Sequence, residues 1–145
     1  MKKMIFAVLF AACSILNACA TKDKVITFDQ LPASAQSTVL QYFTAADIAY
    51  VTLDQEILGK QYEVRFNDGK TMEFEKDGSL RSVDYKLEQV PDALVPEQVR
   101  QQVAASFPQA FIVEWGKDDW GWKAELNNKL DVKFNSKLEM IGIDD

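Results

Sequence analysis

Three tryptophans fall within residues 114–122, EWGKDDWGW, and the chain has no others. Aromatic rings beside a charged turn can anchor a partner, because tryptophan brings a large apolar area and an N–H donor to one spot. Trp115 and Trp120 bracket Gly116-Lys117-Asp118-Asp119, and a four-residue loop would set the two rings opposite each other on one face of a hairpin. Trp122 shares that face and aligns with Tyr62 of an earlier strand, which gives it a core role. Trp115 and Trp120 stand open between a core edge and an exposed platform. Lys117, Asp118 and Asp119 complete a candidate binding tip.

Other chemistry is thin. The chain has no histidine, which removes the commonest general base and metal ligand. Its two cysteines, Cys13 and Cys19, stand too close to the start to form a disulfide or metal site within the fold. Asp68-Gly69 and Asp77-Gly78 could hint at calcium, but the alternating oxygen ligands and closing Glu of a helix–loop–helix calcium site are missing, so turn chemistry explains them. Asp118-Asp119 and Asp144-Asp145 are adjacent pairs whose side chains diverge on a strand, which suits solvated loops better than a shared acid–base site. The expectation is a non-enzymatic chain with no catalytic residue, no metal site and no cofactor.

The balance of charge narrows the partners. The chain of 145 residues carries a formal net charge of −6, and losing Lys2 and Lys3 with a leader would make it −8. Phosphate backbones repel such a surface, and no basic stripe offsets it, so nucleic acid is not an expected partner. Residues 1–20, MKKMIFAVLFAACSILNACA, place two lysines before a short apolar run and small residues after it, the layout of a secretory signal peptide. Two processing routes are open. Ala18-Cys19-Ala20 suits ordinary cleavage, whereas Leu16-Asn17-Ala18-Cys19 suits a lipoprotein signal in which Cys19 is acylated. Either route places the protein outside the cytoplasm, in the periplasm or anchored to a membrane through Cys19.

The elements that must position these residues come in two similar sets. LPASAQSTVLQYF (31–43) sits above VPEQVRQQVAASF (95–107) at an offset of 64, with Leu31, Ala35, Val39 and Phe43 matched by Val95, Val99, Val103 and Phe107. That spacing predicts two amphipathic helices, each with a proline, Pro32 or Pro96, at its first position. Alternation then predicts strands over QYEVRF (61–66), TMEFE (71–75) and LRSVDY (80–85), joined by Asn67-Asp68-Gly69-Lys70 and Lys76-Asp77-Gly78-Ser79. WKAELNNKLDVKF (122–134) falls on YEVRFNDGKTMEF (62–74) at an offset of 60, so the second set has lost four residues before this strand. DIAYVTLDQ and FIVEW supply one further strand each, and LEMIGID the last. The expected fold class is α+β: two tandem repeats, 26–86 and 87–145, each a helix plus four strands. Together they would form one antiparallel sheet of about eight strands with the helices on one face.

The doubled pattern of LP…A…V…F, a strand, and then Y-E-V-x-F-N-D-G-K-x-x-E-F-x-K-D-G-S-L, behind a signal peptide, resembles the PepSY-like family of bacterial periplasmic proteins. The resemblance covers roughly residues 26–145; in the second copy Asn127-Asn128-Lys129 replaces Asn67-Asp68-Gly69-Lys70. It implies a β-lactamase-inhibitor-like fold and a non-enzymatic exported module, and it brings no reaction with it. The functional expectation is a binding module for a protein or peptide of the bacterial envelope, using the 115–120 tip and the bare sheet face. The alternative is a periplasmic sensor that responds to a small ligand or a cation such as calcium.

Overall fold

The structure, a computed structural model, describes residues 23–55 and 61–145. Residues 1–20, with Cys13, Cys19 and both expected processing routes, lie outside the described residues. Both helices form where the apolar spacing places them, as α1 (Ala33–Tyr42) and α2 (Glu97–Ser106). The prolines stand one position earlier than expected. Pro32 and Pro96 are N-caps with extended ψ of 143° and 137°, and their carbonyls accept the first helical bonds from Gln36 and Arg100 at 3.0 and 3.1 Å. Either position suits proline, because neither asks its nitrogen to donate. The inward residues Ala35, Val39, Val99 and Val103 are buried. Each buried valine contributes about 1.5–3 kcal/mol relative to exposure.

The strands are β1 (Lys24–Ile26), β2 (Ile48–Asp54), β3 (Gln61–Phe66), β4 (Thr71–Glu75) and β5 (Leu80–Asp84) in the first half. The second half contributes β6 (Ile112–Asp118), β7 (Gly121–Leu126), β8 (Asp131–Phe134) and β9 (Met140–Asp144). They form one open antiparallel sheet of nine strands in sequence order, with α1 and α2 packed on it, an α+β architecture. The count exceeds the expected eight because Lys24–Ile26 pairs with Val51–Leu53 and adds a strand at the edge of β2. β3, β4, β7 and β8 alternate in burial as their sequences do, whereas β6 buries Ile112 and Val113 in succession. Val64, Phe66, Met72, Phe74, Val83, Trp115, Ala124, Leu126, Val132 and Phe134 join the helix residues in one core cluster. Among the described residues the other face is largely polar and no element covers it.

The two halves correspond closely. The helices, and β2 with β6, are related by an offset of 64, and β3, β5, β7 and β9 keep an offset of 60. The change of offset falls between β2 and β3, which six residues separate, against two, Asp119 and Trp120, between β6 and β7. Even an irregularity recurs: the register slips at Glu73/Phe74 against β5 and again at Lys133/Phe134 against β9.

Candidate functional site

The hairpin that carries the tryptophans is tighter than its composition implies. Gly116-Lys117-Asp118 continues β6, which pairs down to Asp118↔Gly121, so only Asp119 and Trp120 turn the chain. Gly121 makes this reversal, with φ +154° and a backbone so close to β8 that a Cβ there would overlap the Phe134 carbonyl oxygen. Trp115 consequently faces Ala124 and not Trp120, and the expected pair across a four-residue loop does not form.

The three rings part ways. Trp115 is 3% exposed, stacked on Trp122 at 5.1 Å between centroids and edge-on to Phe134 at 5.7 Å. It is a core residue, which takes it out of any exposed platform. Trp122 is half-buried and carries the Lys117 ammonium over its ring at 5.8 Å. Trp120 is 83% exposed, the most exposed large hydrophobic residue among those described. Lys117 Nζ also donates to Glu75 Oε1 at 2.7 Å, and this bond, against the burial that opposes it, holds the Glu75 carboxyl below its ordinary range. Asp119 N–H donates to Asp118 Oδ1 at 2.8 Å, and both aspartates stand exposed. The result is a bare indole on a two-residue turn beside two exposed acids, with the stacked Trp115–Trp122 pair elsewhere on the same hairpin.

The Asp-Gly turns are occupied with their own backbone. Asp68 Oδ1 accepts from Lys70 N–H at 3.1 Å, and Asp77 Oδ1 accepts from Ser79 N–H at 2.9 Å and Ser79 Oγ–H at 2.6 Å. Such bonds are what aspartate supplies at a turn. Among the described residues no three acidic side chains are grouped so that they could hold a metal ion.

Register assembles a feature that the alternation pattern did not single out. Asp84, Glu114, Glu125, Asp131 and Asp144 are successive cross-strand partners from β5 to β9, a row of carboxylates across the uncovered face. The row depends on which strands adjoin, since its five members come from five different strands. Four of the five have lysine partners, Lys86, Lys129, Lys123 and Lys133. Glu114 has no ion pair among the described residues, and burial raises its pKa against the pull of Lys123. Asp84, Glu114 and Glu125 line a hollow of about 320 Å³ bordered by Lys86 and Lys129.

Comparisons with known proteins agree with this architecture. A family described as "Putative beta-lactamase-inhibitor-like, PepSY-like" matches residues 60–142. None of the curated proteins matches the chain. A solved "putative periplasmic protein from DUF2874 family" of Bacteroides vulgatus is 31% identical, with a TM-score of 0.81, over 87% of this chain and 99% of that one. A "putative calcium-regulated periplasmic protein" of Bacteroides thetaiotaomicron is 32% identical, with a TM-score of 0.77, over 85% and 97%. A third structure, a "putative periplasmic protein of unknown function" from Bacteroides vulgatus, shares the fold at 23% identity and a TM-score of 0.77, over 86% and 100%. No described helix is long and apolar enough to cross a membrane. Matched over more than half of its length by the family pattern, this chain belongs to the PepSY-like, β-lactamase-inhibitor-like family.

Proposed function

We propose that this chain is an exported, non-catalytic module that recognises a protein or peptide of the bacterial envelope. One observation carries the reading: Trp120, 83% exposed, stands in a two-residue turn that the close approach of Gly121 to β8 holds in place. An indole has few rotatable bonds to immobilise on binding, and tryptophan is among the residues that dominate interface energetics. Lys117, Asp118 and Asp119 at the same tip add polar contacts around it, and the uncovered face gives a partner room to spread. The periplasmic descriptions of the similar structures and the secretory layout of residues 1–20 support the address. Acylation at Cys19 is the form in which the module would sit at a membrane. The halves 26–86 and 87–145 are read as tandem copies of one helix-plus-four-strand unit, supported by their shared offsets and shared bulge. The test is affinity capture from an envelope fraction with wild type and Trp120→Ala, both verified as folded. A protein retained by the first and lost by the second supports the module; equal capture by both sinks the role of the tip.

A second reading, a calcium-responsive sensor, draws on the carboxylate row and on the name "calcium-regulated" carried by a 32% identical structure. Calcium would have to draw Asp84, Glu114 and Glu125 together in their hollow and displace Lys86 and Lys129 from its border. A melting temperature that rises with calcium, and no longer does so in Glu114→Gln, would favour this reading. No shift at millimolar calcium would remove it.

A further inference from the structure

The two halves end in equivalent strands with unequal fates. In β5, Val83 lies opposite Met72, and in β9, Ile143 lies opposite Val132, the same register 60 residues on. The outer side of β5 is closed by β6, which sets Glu114, Trp115 and Gly116 against Asp84, Val83 and Ser82. Among the described residues no strand lies on the outer side of β9. The difference is written in exposure: Val83 is 0% exposed, whereas Ile143 is 49% and the neighbouring Ile141 58% exposed. The opposite edge of the sheet is managed differently. There β1 caps β2 with only three residues, one of them Lys24, the short and charged kind of strand that discourages further pairing. β9 reads MIGID, with no lysine or proline to protect it. Lys133, which lies opposite Gly142 in β8, is engaged on the polar face with Asp144 at 2.5 Å. α2 holds the strand in place, since Gln102 donates to the Leu138 carbonyl at 2.7 Å and accepts from Met140 N–H at 2.9 Å.

We propose that β9 is a receiving edge for an antiparallel strand of a partner protein, one that sets a large apolar side chain opposite Ile143 and a small residue opposite Gly142. The β5–β6 seam is the internal template for that occupant. Trp115 covers Val83 there, and Gly116 lies so close to Ser82 that a Cβ would crowd it. Strand addition of this kind takes affinity from backbone hydrogen bonds and specificity from alternate side chains. A second copy pairing β9 with β9 is the weaker occupant. Five residues at roughly 3.4 Å each make a seam of about 17 Å. A centred pairing of two copies along it would set Met140 against Asp144, an apolar side chain against a carboxylate. The proposal deepens the reading of the chain as a protein-binding module. Its test leaves Trp120 untouched, so failure at β9 and failure at the tip are separate results.

The probe is a synthetic peptide of residues 111–118, FIVEWGKD, titrated into the 15N-labelled chain. Amide shifts concentrated at residues 140–144 are expected. They should weaken at least about tenfold with an Ile141→Lys/Ile143→Lys chain whose circular dichroism is unchanged, and likewise with a Trp115→Lys peptide. Shifts elsewhere, no shifts at millimolar peptide, or equal binding by the lysine variant would overturn the proposal. So would concentration-dependent shifts at residues 140–144 without peptide, which would make a second copy the occupant.

Discussion

Trp115→Ala and Trp120→Ala should differ in cost by several kcal/mol although the residues stand five positions apart. Trp115 is buried, stacked on Trp122 and edge-on to Phe134, so truncation removes its apolar area, breaks two aromatic contacts and leaves a cavity at the centre of the second half. Core Trp→Ala changes cost about 3–5 kcal/mol, and each aromatic pair accounts for roughly 0.5–1.5 kcal/mol of that. Trp120 makes no comparable contact, and its replacement should fall within about ±0.5 kcal/mol. A domain of this size loses roughly 3–5 °C of melting temperature per kcal/mol, so Trp115→Ala should melt about 10–20 °C lower, with Trp120→Ala almost unmoved. Because total stability is only about 5–15 kcal/mol, Trp115→Phe serves as a milder companion that keeps a ring in place. Urea unfolding followed by circular dichroism gives both the midpoint and the slope, and an unchanged slope shows that stability alone has moved. A cost below about 1 kcal/mol for Trp115→Ala, or above about 1.5 kcal/mol for Trp120→Ala, would refute the division of the rings.

Three further outcomes follow from the same geometry. Gly121→Ala forces a side chain into positive φ against the Phe134 carbonyl, and chemical denaturation should show a loss of about 2 kcal/mol or more. Glu114 has its folded pKa raised by burial, so the folded state holds its proton more tightly than the unfolded chain does, and stability falls as pH climbs from the unfolded value of 4.5 through the folded one. Glu114→Gln should therefore be the more stable protein at pH 7, with its advantage vanishing below pH 4.5 in a pH series of melting curves. Lys117→Ala removes a part-exposed pair with Glu75, and should cost under about 1 kcal/mol at low salt and less at high salt in parallel melts.

Sequence and structure part company where pairing, and not pattern, decides the outcome. The spacing of Val99 and Val103, and the alternation of Val64, Phe66, Met72 and Phe74, are local signals, and those residues are buried as their pattern requires. The loop at 116–119 is a different case. Gly-Lys-Asp-Asp has the composition of a turn, yet with a glycine at 121 β6 stays paired three residues further, to Asp118, which leaves Trp120 in the turn and no longer opposite Trp115. The strand at 24–26 is only three residues long, and no alternation can be read from three residues. The carboxylate row needs the order of five strands before Asp84 and Glu114 become neighbours, and the open edge at β9 needs the whole sheet. Trp122 illustrates the other side: aligned with Tyr62, it was expected inside, and it packs against the core as Tyr62 does.

The central claim is that Trp120 meets a partner in the envelope, and oxidative footprinting of the three tryptophans tests it most directly. In the isolated protein Trp120 should oxidise fastest and Trp115 slowest, following their exposure of 83% and 3%. On addition of an envelope fraction, the account predicts that Trp120 becomes protected while Trp115 stays as it was. A Trp120 oxidised at the same rate with and without the fraction would contradict it.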